Sequence, residues 1–400
     1  MLVYREITLA IFLRERNFLM QKAPMDIDLE RTFCYTATNR TFILIMEQQL
    51  LNLQADKIES IFAAHHAPAQ VWGGRLTPRT IQFHLAPSAH TKLNKLESLT
   101  EEVALALGVS SVRLTRTNGT LSLEVPRSDS HRVTLGELNR RLLAERDDSL
   151  QHALSIAGTT ILGMDTEGLP LLLRLSSPDV AHCLVAGTTG SGKTELTRTI
   201  IASLVIHQKP RALQIIIFDP KTHSFAMFAH MPHLLCPIIS RPDETLARMH
   251  TLVSEMERRD QSQVTRPHIV VVIDELADLL QSCGKELETL LTRLLQRGRS
   301  AGISIVACTQ KPSAAAMSTI IRANFPVRLV GRVTSANDAL VAAGVGGTGA
   351  EKLAGRGDFL LVAGAQTIRF QAAQTTAKDL IAKQAPGEKG LMAKMLRVVK

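Results

Sequence analysis

Two textures of hydrophobic and polar positions divide this chain. Up to about position 160, short amphipathic stretches predominate. QADKIESIFAAHH brings Ile58, Ile61 and Phe62 together at helical spacing. AQVWGG and RTIQFHLAP read as short strands separated by Gly73-Gly74 and Pro78. LNKLESLTEEVALALG repeats the helical period and stops at Gly108. VRLTRTNGTLSLEVP alternates on either side of Asn118-Gly119, a tight-hairpin signal. VTLGELNRRLLAE is again an amphipathic helix. These elements predict a small α+β domain over 51–160, preceded by a segment, 1–50, with no clear period.

From about Ile161 the apolar runs lose their alternation. CLVAG, ALQIIIFD, HIVVVIDE, ISIVACTQ, FPVRLVG and DFLLVAG are continuous runs of strand length, as expected for strands buried on both faces. KTELTRTIIASLVIH, DETLARMHTLVSEMERR and KELETLLTRLLQRGRSAG alternate with them at helical period. The βαβ series predicts an α/β domain over 161–384 with a parallel, doubly wound sheet. A short basic tail, 385–400, follows.

Composition narrows the class. Of 400 residues, 45% are apolar and 21% charged, enough core material to exclude a wholly disordered chain. The net charge of +9 favours an anionic partner such as nucleic acid, nucleotide or membrane surface. Aromatics are sparse, with 12 Phe, 2 Tyr and 1 Trp, so stacking of single-stranded bases has little to work with. Contacts to duplex phosphates are the expected mode if DNA is bound. The 5 cysteines are scattered without a CxxC pair, which fits a reducing cytoplasm better than a disulfide or zinc scaffold. The opening MLVYREITLAIFLRERNFLM is broken by charges and lacks a cleavage site. Neither a signal peptide nor a membrane-spanning segment is expected.

The sharpest chemistry is Gly187-Thr188-Thr189-Gly190-Ser191-Gly192-Lys193-Thr194, which fits G-x-x-x-x-G-K-[ST]. HCLVA reads as a strand before it and ELTRTIIASLV as a helix after it, the context a phosphate-binding loop requires. Glycines let backbone amides turn toward a β-phosphate, Lys193 neutralises the β- and γ-phosphates of ATP, and the Thr194 hydroxyl ligates Mg²⁺. A second feature ends the strand Ile269–Ile273 in Asp274-Glu275. Acids at such a strand end face the crevice where ligands bind. Asp274 is expected to hold Mg²⁺ through water and Glu275 to polarise the attacking water. Thr309-Gln310 ends the next apolar strand, and Gln310 is a candidate γ-phosphate sensor. Asp219, in Asp219-Pro220-Lys221, is a candidate for lining the same crevice. Arg293, Arg297 and Arg299 are candidates for an arginine that reaches a neighbouring subunit's nucleotide. Gly344-Val345-Gly346-Gly347-Thr348-Gly349 matches G-x-G-x-x-G but follows a helical stretch, so it reads as a loop and not a dinucleotide site.

HCLVAGTTGSGKT, IIIFDPK, MPHLL, EMERR, IVVVIDELADLL, AGISIVACTQKPS, IRANFPVRL and LAGRGDFLL occur in the order found in the FtsK/SpoIIIE DNA translocases. PRTIQFHLAP, LTEEVALALGVSSVRL and LSLEVPR resemble the small domain that precedes the motor in that family. The resemblance covers about 55–380. It implies a RecA-like P-loop ATPase assembling as a homo-hexamer, with double-stranded DNA pumped through a central channel by ATP hydrolysis. By position it makes Gln310 the sensor, Arg299 the trans-acting arginine, and Lys311 and Arg322 DNA contacts. There are departures. SANDAL carries Ala336 and Leu340 where the family has charge, and the connection from EMERR to the second motif is short. Neither a membrane-anchoring region nor a winged-helix domain is expected. The alternatives are a ring ATPase that moves proteins, which usually chains several motors, and a DNA-binding protein with little turnover, against which Glu275 argues.

Overall fold

A computed structural model describes residues 38–381, apart from 77–79, 118, 128–131, 145–147, 167 and 311–316. Most of the 1–50 segment, Lys311, Cys34 and the basic tail lie outside the described residues. The chain divides into two compact units between Arg132 and Val133.

The first unit is α+β. Helix α1 (Thr38–Ala64) is followed by β1 (Ala69–Leu76), β2 (Thr80–Pro87), α2 (Leu93–Ser98), α3 (Thr100–Leu107), β3 (Arg113–Thr117) and β4 (Thr120–Pro126). The strands form one antiparallel sheet in the order β1-β2-β4-β3. Ile58 and Phe62, one turn apart on α1, are fully buried against Phe83, Leu96, Val103 and Leu123. Thr117 pairs with Thr120, the two-residue hairpin that Asn118-Gly119 encodes. Gly108 ends α3 in the left-handed conformation at φ 68°, where a side chain would be strained.

The second unit begins with α4 (Leu135–Ala144) and α5 (Asp148–Ser155), before position 160 where the sequence texture changes. The reason is specific pairing: Leu135 N donates to Gln374 O (3.0 Å), and Gln374 N to Val133 O (2.8 Å). Nine strands follow in one sheet: β5 (Thr159–Asp165), β6 (Pro170–Arg174), β7 (Cys183–Ala186), β8 (Leu213–Phe218), β9 (His268–Ile273), β10 (Ile303–Thr309), β11 (Val327–Val330), β12 (Asp358–Ala363) and β13 (Gln366–Ala372). Their order is β6-β5-β13-β12-β11-β7-β10-β9-β8. From β11 to β8 every neighbour is parallel; from β11 to β6 every neighbour is antiparallel.

Helices α6 (Lys193–His207), α7 (Pro242–Ser262), α8 (Leu276–Arg297), α9 (Thr319–Ala323), α10 (Ala336–Ala343) and α11 (Ala377–Ile381) connect and follow the strands. All residues of β7, β9 and β10 are buried, which is why their sequences do not alternate. Each buried Val or Ile there contributes about 1.5–3 kcal/mol relative to exposure. Helix α8 is interrupted at Gly284, whose φ of 66° and ψ of −153° are not helical. Gly344, in the G-x-G-x-x-G match, is the left-handed cap of α10, and no strand leads into it.

Two histidines lie buried on this sheet. His182 Nδ1 accepts from Ile305 N (3.1 Å), and His268 Nε2 lies 3.0 Å from Ser304 Oγ. Burial lowers each to about 4; their mutual repulsion adds to the shift of His182, and Arg259 to that of His268. The native state keeps both neutral, whereas the unfolded chain takes up protons below about 6.5. Stability is therefore full above that pH and falls as pH drops toward 4. The expected slope is about 1.4 kcal/mol per pH unit for each histidine. Urea midpoints at pH 7 and pH 5 should differ less in His268→Gln than in the natural chain; an unchanged difference would rule out this origin.

Candidate functional site

The C-terminal ends of β7, β10, β9 and β8 lie side by side, and each carries a polar group into the same crevice. Strand β7 runs into the loop Gly187–Thr194 and then α6. Gly190 and Gly192 take φ values of 79° and 103°, open to glycine and strained for other residues. No side chain caps α6, so its first N–H groups are left for an anion. Lys193 is 8% exposed, and its Nζ donates to Gly187 O (2.8 Å) and Thr188 O (3.0 Å). Burial lowers its pKa, opposed by the carboxylates of Glu275 and Asp274. Behind it, burial pushes the Cys308 thiol up to about 12, so it stays neutral, 3.0 Å from Thr197 Oγ1.

Asp274 and Glu275 end β9, both 5% exposed. Burial raises the Asp274 pKa, against the pull of Ser224 and Lys221. Its Oδ2 accepts from Ser224 Oγ (2.9 Å), and Oδ1 has no hydrogen-bond donor among the described residues. Glu275 adopts φ 57° and ψ 68°, a left-handed conformation at the start of α8. Such a backbone costs a non-glycine residue about 1–3 kcal/mol and is typical of functional positions. The carboxylate is held from two sides. Oε1 accepts from Gln310 N (2.9 Å), and Oε2 lies 3.4 Å from Lys221 Nζ. Gln310 in turn accepts at Oε1 from Thr189 Oγ1 (2.9 Å), tying the end of β10 to the loop.

Asp219 acts differently from a ligand-lining residue. It is fully buried, and its oxygens accept from the amides of Lys221 (3.2 Å), Ser224 (2.9 Å) and Phe225 (3.3 Å). It shapes the turn that delivers Ser224 to Asp274 and Lys221 to Glu275. Ser224, a hydroxyl in an unpatterned loop, carries no sequence signal for this role.

The three arginines separate cleanly. Arg293 pairs with Glu257 and Arg297 with Asp260, both on α7. Arg299 is exposed and its side chain has no partner among the described residues. It precedes β10, at the end of that strand remote from the loop. Arg322 is half-buried on α9, and its Nη2 donates to Thr319 Oγ1 (3.3 Å).

The donor set fits a Mg²⁺-bound triphosphate: an uncapped helix start, a buried lysine, the Thr194 hydroxyl and an acid with an open oxygen. Among the described residues no group of three or more His, Cys, Asp or Glu side chains could hold a metal alone. No helix of the described residues is long and apolar enough to cross a membrane.

Comparison with known proteins agrees with this architecture. The FtsK/SpoIIIE family model matches residues 141–264 and 260–314, and the FtsK alpha domain model matches 38–127. The DNA translocase FtsK of Sporosarcina ureae is 32% identical over 365 residues, 84% of this chain and 45% of that protein. That of Leptospira interrogans is 32% identical over 375 residues, 85% of this chain and 37% of that protein. The chain thus spans less than half the length of these curated relatives. Among solved structures, the pCW3 conjugation coupling protein TcpA with ATPγS has a TM-score of 0.54 at 19% identity, covering 87% of this chain and 99% of TcpA. EssC (ATPases 2 and 3) from Geobacillus thermodenitrificans has a TM-score of 0.50 at 16% identity, covering 61% and 49%. Both share the RecA-like P-loop ATPase fold of the second unit. With its small α+β unit, its P-loop and the acids that end β9, the chain belongs to the FtsK/SpoIIIE family.

Proposed function

We propose that this chain is an ATP-driven translocase motor for double-stranded DNA. The reading rests on one observation above all: Glu275, held between Lys221 and the Gln310 amide, stands in the crevice with Lys193 and the P-loop. Lys193 exchanges the carbonyls of Gly187 and Thr188 for the phosphates of ATP. Glu275 accepts the proton of the attacking water. Thr194 and Asp274, the latter through water, would hold Mg²⁺, which supplies positive charge against the phosphates. Gln310 senses the terminal phosphate and passes its loss directly to the segment that follows it, which carries Lys311.

In a homo-hexameric ring Arg299 reaches the nucleotide of the next subunit. Of the three candidates it alone is not tied down to its own α7. Lys311 and Arg322 contact duplex phosphates in the central channel. Those contacts carry no base information, so movement is sequence-tolerant and salt-sensitive. The working compartment is the cytoplasm, consistent with the free thiols of Cys183, Cys236, Cys283 and Cys308.

The test is ATP hydrolysis by the purified chain with and without linear duplex DNA, followed by triplex displacement on the same duplex. Stimulation of several-fold and displacement of the third strand are expected. Equal rates and no displacement would point to a motor for another substrate or to a low-turnover DNA-binding protein.

A further inference from the structure

The P-loop strand β7 lies between β10 and β11 in the sheet. Gln310 and Glu275 stand on the β10 side, and they are the groups that address the terminal phosphate. A nucleoside triphosphate laid along the loop therefore has its sugar and base on the other side, toward β11 and β12.

Two segments close on the loop from that side. Arg332 O accepts from Thr188 N (2.8 Å) and Thr188 Oγ1 (3.0 Å). In the turn Gly355-Arg356-Gly357-Asp358, Arg356 N donates to Gly190 O (3.0 Å) and Gly357 N to Ser191 O (2.7 Å). A side-chain carbon on Gly192 would stand 2.8 Å from Gly357 N, so the approach requires glycine there.

The Arg332 guanidinium lies over this turn. A carbon placed on Gly355 would be 3.7 Å from Arg332 Nε, 3.8 Å from its Cζ and 3.5 Å from Gly190 O. Arg332 and Arg356 are both exposed, and Arg356 is held at φ 52°, a left-handed value unusual for arginine. The nearby aromatics, Phe359 and Phe370, are buried and stacked on each other, so neither offers a face to a ligand.

We infer that Arg332 and Arg356 form the nucleoside subsite of the ATP pocket, with the base stacked on the Arg332 guanidinium plane. The inference rests on the nucleotide-binding reading of the P-loop and adds to it the recognition of what lies beyond the phosphates. A guanidinium is well matched to a nucleobase because it is planar, weakly hydrated and stacks on π systems where lysine does not.

Equilibrium binding of ATP and of inorganic tripolyphosphate to the full chain, with Mg²⁺, separates the possibilities. Both substitutions are at exposed positions, and thermal midpoints without ligand check folding. Arg332→Ala and Arg332→Lys are each expected to weaken ATP by about tenfold and to leave tripolyphosphate within about twofold. Arg356→Ala should show the same selectivity. Equal losses for both ligands would make these arginines phosphate contacts and overturn the subsite, as would unchanged ATP affinity. If the natural chain binds neither ligand, the nucleotide reading itself fails and the subsite with it.

Discussion

Glu275→Gln is expected to bind ATP as tightly as the natural chain and to hydrolyse it about 10²–10⁴-fold more slowly. The amide oxygen of the substituted side chain can still accept from Gln310 N, now 2.9 Å from Glu275 Oε1, so the end of β10 keeps its anchor. The left-handed backbone at this position is independent of the terminal group. What disappears is the negative charge beside Lys221 and the capacity to take a proton from water. Binding should survive because the P-loop amides and Lys193 are untouched. Hydrolysis rate and equilibrium affinity measured on one preparation decide the matter. Turnover within a few-fold of the natural rate would remove Glu275 as the base.

Lys193→Ala should instead remove binding. The ammonium is buried at the start of α6, where it meets two loop carbonyls. Charged hydrogen bonds are worth about 1.5–3 kcal/mol each, so losing two to phosphate predicts an affinity loss of roughly 10²–10⁴-fold. Truncation also takes the Lys193 donor from Gly187 O, while Thr188 O keeps Ser191 N (3.2 Å) and Ser191 Oγ (2.7 Å), and some intrinsic stability will go. The informative readout is therefore the upward shift of the thermal midpoint on adding ATP, which vanishes when affinity is lost. A shift of natural size would remove Lys193 from the phosphate site.

Much of this arrangement was legible in the residues themselves. Continuous apolar runs located β7 to β12 because full burial on both faces erases alternation. The P-loop could be read because its glycines, lysine and threonine are contiguous. Elsewhere the determinants are spread through the chain. Strands β5 and β6, and β13 beside them, escaped the apolar-run criterion although they complete the antiparallel wing. The unbroken helix α1 begins at Thr38, well before the periodic stretch around Ile58. Asp219 looked like a crevice residue because it ends a buried strand, but the amides of its own turn claim both oxygens. Arg332 and the turn at Gly355 meet the P-loop from positions more than a hundred residues away, a distance over which no local pattern speaks.

The interruption at Gly284 has a mechanical consequence. A continuous helix of 22 residues would be a stiff bar of about 33 Å, transmitting any rotation of its first residue to its last. Gly284 makes it two shorter rods joined at an elbow. The first rod begins beside Glu275; the second is moored to α7 through Arg293 and Arg297. A tilt of the rod nearest the chemistry is thus absorbed at the elbow, and the moored rod can keep its berth while the acid moves.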